Sequence, residues 1–430
     1  MREDEVWELR LRRERETTAG LWPIGRALAV AGLSVAVGLA MVTVVALAVL
    51  GFPHLARHKD LSVGDLLDVL KLVLGTVAGA GALAALVMNY RKQRVAEVAE
   101  TRDRVRVFNE RFTTAAGQLG HDEAAVRLAG IYAMAGLADD WEHGRQTCID
   151  VLCAYLRMPY EPDPGSGAPA AEGLVFGRNQ EVRHAIIKVI TTHLRSGARV
   201  SWRGHDFDFT GARFDGGDFS HAKFIDGEIS FTGAEFTGGT VSFAGAEFRS
   251  EVSFARAEFT GGVVDFSGAE FTRVTSGTVS FSGAQFTGGE VSFGGAQFTS
   301  GVVDFSGAVF IDGTADFSGA QFTGSTVDFS GADFTGGEVI FSGAGFIVGK
   351  ISFTHAEFTS GTVTFTGAGF IEGEVTFSGA RFTGGTVDLH DLRFTKVSPS
   401  FDEAVLASPP EGLRLPATAT APQPGETSGR

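Results

Sequence analysis

The chain has 430 residues, enough for two or three domains, and carries 36 Lys and Arg against 51 Asp and Glu. Its net charge of -15 is concentrated between Asp206 and Asp391, where 24 acidic residues stand against 7 basic ones. Such an acidic stretch excludes direct binding of nucleic-acid phosphates, which needs Lys and Arg to displace counterions. Two cysteines exclude a disulfide framework and suit a reducing compartment.

Residues 1–26 form a mixed-charge lead-in. Ala27 to Phe52 then contains no charged residue, which exceeds the roughly 20 residues needed to cross a bilayer. It is too long for a signal-peptide core of about 7–15 residues, and no A-x-A-like cleavage site follows. Leu72 to Met88 is a second apolar stretch; with a start near Leu66 it also reaches spanning length, placing Asp68 and Lys71 near the interface. Residues 27–90 therefore read as a transmembrane helical hairpin in the lipid bilayer. Arg10, Arg12, Arg13, Arg15 and Arg26 precede it, and Arg91, Lys92, Arg94 and Arg102 follow it. Basic flanks mark the cytoplasmic side, so both termini are expected there, at the plasma membrane. Gly75, Gly79 and Gly81 form a small-residue face that suits packing of the two spans or homodimerisation.

Residues 91–160 read as a linker helix and a helical module. A charged helix runs from Val95 to about Gln118. A second, capped by Asp122, runs to about Ala138, and a third covers Arg145 to Leu156 with Ile149, Leu152, Cys153 and Leu156 at helical spacing. Cys148 and Cys153 are five apart, which suits core packing rather than a shared metal. Residues 161–178 read as a flexible linker through PDPGSGAPAAEG. Residues 179–198 hold an amphipathic helix from Glu181 to Leu194, whose His184 and His193 lack a partner at ligand spacing. Residues 396–430 lose the periodicity and are expected to be disordered.

Between these segments, residues 199–395 repeat themselves. Phe209, Phe214, Phe219 and Phe224 recur every five residues; thereafter Phe-to-Phe steps alternate between five and, usually, seven. A period of five fits neither a helix nor a long strand, but it fits a chain that turns a corner every five residues. Ala212, Ala222 and Ala234 stand two before a Phe and share its inward direction, while Arg213, Lys223 and Glu235 face water. In the longer units Val241, Val252, Val279, Val291, Val327 and Val363 take the place of Ala. A 24-residue coil accommodates this alternation on four sides. A 12-residue coil is the alternative, but it overfills so narrow a core with two Phe, Ala and Val. About seven 24-residue coils are expected.

The Phe with Ala two residues earlier resembles the pentapeptide-repeat family over about 190 residues, which implies a right-handed quadrilateral β-helix. The regular two-residue expansion departs from that family's usual unit. The order of two spans, the helical segment from ERFTTAAGQLGHDEAAVRLAGIYAMAGLADD to QTCIDVLCAYLRMPYEPDP, and the repeat resembles a recurring membrane-anchored actinobacterial type. That resemblance implies no established activity.

The chain contains no G-x-S-x-G, H-E-x-x-H, P-loop or C-x-x-C motif, and its Gly-Gly units lack the second glycine-aspartate step of nonapeptide calcium repeats. The expectation is a non-enzymatic protein with no cofactor or metal. A partner surface is expected at the stacked acids Glu235 and Glu258, or Glu247 and Glu270. A second candidate is the basic spot Arg249, Arg256 and Arg273, where FRSEVS is one residue short and FTRVTSGTVS three long. The function expected is a membrane-tethered, cytoplasm-facing scaffold for an unknown protein partner. The alternative is a DNA-mimicking inhibitor of DNA gyrase of the fluoroquinolone-resistance type, since some pentapeptide-repeat proteins resemble B-form DNA in shape and charge.

Overall fold

The computed structural model describes residues 63–161, 163–165, 167–272, 278–372, 374–395 and 413–414, with seven residues between Leu33 and Val44. They fall into two units, Met1–Val107 and Phe108–Arg430.

Helix α1, Val63–Leu119, carries the second expected span and the charged helix after it without a break. No Pro or cap signal separates the apolar and charged parts, so the backbone ladder continues. Among the described residues, one helix is long and apolar enough to cross a membrane. From Leu70 onward it holds an 18-residue window of mean hydropathy 1.9, none of it buried. Most of the first expected span lies outside the described residues. Its described residues, Leu33 to Val44, are helical, and a Cβ at Gly38 would lie 3.7 Å from Thr76 Cγ2. Among the described residues, a Cβ at Gly75, Gly79 or Gly81 would meet nothing within 4 Å.

In the second unit, α2 (Ala124–Asp140), α3 (Arg145–Arg157) and α4 (Ala170–Leu194) form the helical module. Asp122 does not cap α2; Glu123 holds that position without a side-chain bond. Helix α4 begins well before Glu181, so the second half of the expected linker is helical. Ala170, Ala171, Glu172 and Leu174 are good helix formers, and Pro169 ahead of them is compatible with a helix start.

The repeat folds as a β-solenoid of about eight coils, built from four parallel stacks of short strands. The stacks begin at Phe207–Asp208, Arg213–Phe214, Gly217–Asp218 and Lys223–Phe224, and are called first to fourth here. The second stack has eight strands, one coil more than the seven expected. Later coils pair in a 24-residue register: Phe286 lies against Phe310, Phe310 against Phe334, and Phe334 against Phe358. The 12-residue coil is excluded, because Phe231 stacks on Phe254 at 4.7 Å and 4° and meets Phe243 edge-on at 89°.

That alternation explains how so many rings fit. Rings on one column stack nearly parallel, as Phe281 on Phe305 at 4.8 Å and 6°. Rings from opposed turns meet across the core as T-shapes, as Phe281 with Phe293 at 5.6 Å and 88°. Both arrangements satisfy the ring quadrupole. Ala and Val fill the gaps between them: Ala212, Ala234, Val252 and Val327 are fully buried. Val279 is only half-buried, next to the three-residue insertion.

Each short turn is closed by the Ala N–H donating to the carbonyl of the Phe three residues earlier, as Ala284 to Phe281 at 3.0 Å. The corner between the second and third stacks is tighter. There Gly289 has φ +74°, and a Cβ would lie 2.5 Å from the Gly262 carbonyl oxygen of the preceding coil. Gly289→Ala is expected to cost at least about 1–2 kcal/mol from the left-handed conformation alone, with the backbone clash added. Urea denaturation measures it; an unchanged midpoint would contradict the close approach.

Candidate interaction surfaces

The stacked acids occur in the expected register. Glu258 pairs with Glu235 and Gln285, and Glu270 with Glu247 and Gln297. They do not form one surface, however. Glu235 and Glu258 lie on the second stack and Glu247 and Glu270 on the fourth, on opposite sides of the solenoid. Each column also begins with a cation. Arg213 Nη2 lies 2.6 Å from Glu235, and Lys223 is paired with Glu247, which Arg249 also approaches at 3.3 Å. Like charges in adjacent coils are thereby partly neutralised.

Much of the remaining acidity is used internally. Asp208, Asp218, Asp265, Asp304, Asp316, Asp328 and Asp388 each accept a bond from the backbone N–H two residues on, at 2.8–3.0 Å. These Asx turns, placed just before a corner, satisfy N–H groups that no strand partner reaches. The Asp-to-Ser alternation at those positions is their sequence signal.

Of the basic spot, Arg249 sits at the corner between the fourth and first stacks, whereas Arg256 projects from the corner between the first and second with φ 57°. Arg273 lies outside the described residues. The two length irregularities do share one corner. Residues 249–251 and the insertion after Thr272 both connect the fourth stack to the first, on adjacent coils whose Phe248 and Phe271 stack at 4.9 Å. On later coils the same corner carries Val302, Val348 and Ile371, which are 37%, 60% and 46% exposed. Coils four and five run straight through it as eight-residue strands, Gln297–Asp304 and Gln321–Asp328. The corner between the second and third stacks keeps one length over these coils, although it too carries an exposed apolar side chain, Ile311, at 48%.

A third feature escaped the sequence analysis. The first coil leaves strand edges without a preceding neighbour, and side chains of α3, α4 and Arg195, the residue that caps α4, satisfy them. Gln146 bonds both the N–H and the carbonyl of Asp206 at 3.0 and 2.9 Å. Arg157 donates to the Asp208 carbonyl, Thr191 to that of Asp218 and Arg195 to that of Ser220, at 2.7–2.8 Å. Arg183 is 4% exposed and donates to the carbonyls of Leu156 and Arg213 at 2.7 and 2.6 Å, with its guanidinium 4.5 Å from the centre of the Tyr160 ring. Burial holds its pKa below the ordinary arginine value. Beside it, Asp215 accepts from Tyr160 Oη at 2.7 Å and Gln180 at 3.0 Å, and lies 3.3 Å from His184. The available signal was Arg183 itself, a charge at helical spacing from Ile187 and Ile190.

His193 stacks on Trp202 at 4.1 Å and, like the Trp202 indole, contacts Asp139. Both histidines thus have acidic partners that sequence spacing could not show. Among the described residues no group of three His, Cys, Asp or Glu is placed to hold a metal. Burial pushes the thiols of Cys148 and Cys153 up to about 11 and about 12. Neither is expected to react with a thiol reagent at neutral pH until the protein is denatured; labelling by mass spectrometry checks this.

A helical module closing one end of a β-solenoid defines this unit as a capped repeat protein, with a Phe roughly every five residues consistent with a pentapeptide-repeat fold. No family model, curated protein or solved structure matches the chain.

Proposed function

We propose that the protein is a membrane-tethered, non-enzymatic scaffold that presents a right-handed four-sided solenoid to a protein partner on the cytoplasmic side. The observation that carries the tether is the apolar window of α1, none of whose residues is buried, with no break before the charged half of the helix. Bilayer is the environment that stabilises such a surface. Basic residues after it, from Arg91 to Arg102, support a cytoplasmic solenoid.

The interaction surface we assign is the irregular corner between the fourth and first stacks. There Val348 and Ile371 are exposed on a scaffold whose other large apolar side chains are mostly buried. Exposed apolar residues clustered on a rigid frame mark protein contacts. The DNA-mimic alternative needs a continuous acidic face; opposed Glu columns and internally bonded Asp argue against it. No direct nucleic-acid contact, cofactor or metal is proposed, and homodimerisation is left to the spans.

Two measurements test the reading. The full chain should stay with membranes through an alkaline carbonate wash; release into the supernatant overturns the tether. Crosslinking in the cells that make it should capture a partner whose yield falls at least about tenfold in Val348→Asp/Ile371→Asp. Equal capture by parent and variant overturns the assigned corner.

A further inference from the structure

Where α4 meets the start of the third stack, the chain leaves an open cleft of about 520 Å³. That is within the range of small-molecule sites, roughly 300–1,000 Å³. One wall is a single face of α4 and its cap, with His184, Lys188, Thr191 and Arg195 at helical spacing. The other is Gly217 and Asp218 of the first coil with Thr240 and Ser242 of the second.

The cleft follows from two glycines. Gly216 and Gly217 stand in register with Thr240 and Val241 of the next coil. A Cβ at Gly217 would lie 2.8 Å from Ile187 Cδ1, and one at Gly216 would lie 3.2 Å from His184 Cε1. Bare backbone therefore lets α4 settle on the first strand, and outward side chains resume only at Thr240 and Ser242, across the cleft from the helix.

The hydrogen-bonding groups around it are unevenly used. Asp218 is the one carboxylate among the described lining residues, and both its oxygens are taken. Its Oδ1 accepts from the Ser220 N–H at 2.9 Å and its Oδ2 from Arg195 Nη2 at 2.8 Å. Arg195 also donates from Nε to the Ser220 carbonyl, yet among the described residues its Nη1 has no partner. Nor has the exposed ammonium of Lys188 or the hydroxyl of Thr240. Ser242 Oγ accepts from the Ala244 N–H at 3.3 Å, which leaves its own proton to donate. The Arg195–Asp218 pair is mutually neutralised, so Lys188 is the uncompensated charge.

We propose that this cleft binds a phosphate-bearing small ligand, held by Lys188, Arg195 Nη1 and the hydroxyls of Thr240 and Ser242. A phosphate group offers three strong acceptor oxygens to donors that converge from opposite walls. One bound phosphate needs no basic groove of the kind a nucleic acid requires. Bound there, it bridges α4 to the second coil, and so the helical module to the repeat. The site stands independently of the membrane and partner reading.

Pyrophosphate, titrated calorimetrically into the full chain in a nonionic detergent, should bind saturably. Lys188→Glu should weaken that binding at least about tenfold, because it puts an anion where the uncompensated cation stood. Lys350→Glu, the same charge change on a later coil, should leave it within about twofold. No saturable binding by the parent, or equal loss in the two variants, overturns the proposal. Pyrophosphate should also slow amide exchange at residues 188–195 and 240–242 while residues 281–310 stay as they were. Slowing that is absent from the cleft, or even along the chain, overturns it as well. Glycerol 3-phosphate and dioctanoyl phosphatidic acid, compared as competitors, then separate a soluble ligand from a lipid headgroup by which displaces pyrophosphate at the lower concentration.

Discussion

Replacing Phe329 by Ala lowers the unfolding free energy by an expected 3–5 kcal/mol or so, as for other buried aromatic truncations. The ring is 0% exposed and is sandwiched between Phe305 at 4.8 Å and Phe353 at 5.1 Å, with Phe341 edge-on at 6.1 Å. Its neighbours cannot collapse into the gap, because each is held by its own column and by the coil register. Truncation therefore leaves a cavity and removes two stacking contacts as well as buried area. A midpoint fall of roughly 6 °C or more is expected for a unit of this size. Glu258→Ala, which removes an outward charge from a like-charged pair, should leave the midpoint within about 2 °C. Equal midpoints for Phe329→Ala and its parent would refute the ring's inward placement.

The second large effect is at the junction of helix and solenoid. Arg183→Met retains the apolar stem but leaves the Leu156 and Arg213 carbonyls without their donor, at about 1–3 kcal/mol each. Both bonds leave one nitrogen, Nη2; Arg183→Lys should rescue little, because a compact, strongly hydrated ammonium does not lie over Tyr160 as the planar guanidinium does. Hydrogen exchange should show the loss concentrated in α4 and the first coil. Uniform loss along the solenoid would place the role elsewhere.

The same node gives an acid dependence. Burial raises the Asp215 pKa, but bonds from His184, Tyr160 and Gln180 outweigh it, and the folded value lies below the ordinary one. A depressed folded value means that the carboxylate's stabilisation is complete above its unfolded pKa, about 3.9. It is lost as pH falls through the folded value. Asp215→Asn should be less stable than the parent at pH 6 and should lose less on going to pH 3. Parallel stability curves for the two proteins would show that Asp215 has no linked role.

The solenoid was legible because its information is local and repeated. Phe and Ala two residues apart must point the same way in extended chain, and the alternating five and seven steps allow a 24-residue coil. Ring volume then chose that coil over the 12-residue one, and the register agrees. The continuous α1 was harder to read because apolar and charged halves look like separate elements, although no residue between them stops the helix. Helix α4 was cut short for the opposite reason: Pro162, Pro164 and Gly165 suggest a loop that extends less far than composition implies.

What sequence alone determined, then, is the repeat, its inward residues and the apolar stretch of α1. Those follow from periodicity and hydropathy, which each short segment carries by itself. Only the tertiary structure decided that the two Glu pairs lie on opposite sides and that both length irregularities fall on one corner. It also decided that Arg183, Asp215 and Gln146 serve the first coil's open edge. These depend on which residues 20 to 60 positions apart are brought together, and coil closure sets that, not any local pattern.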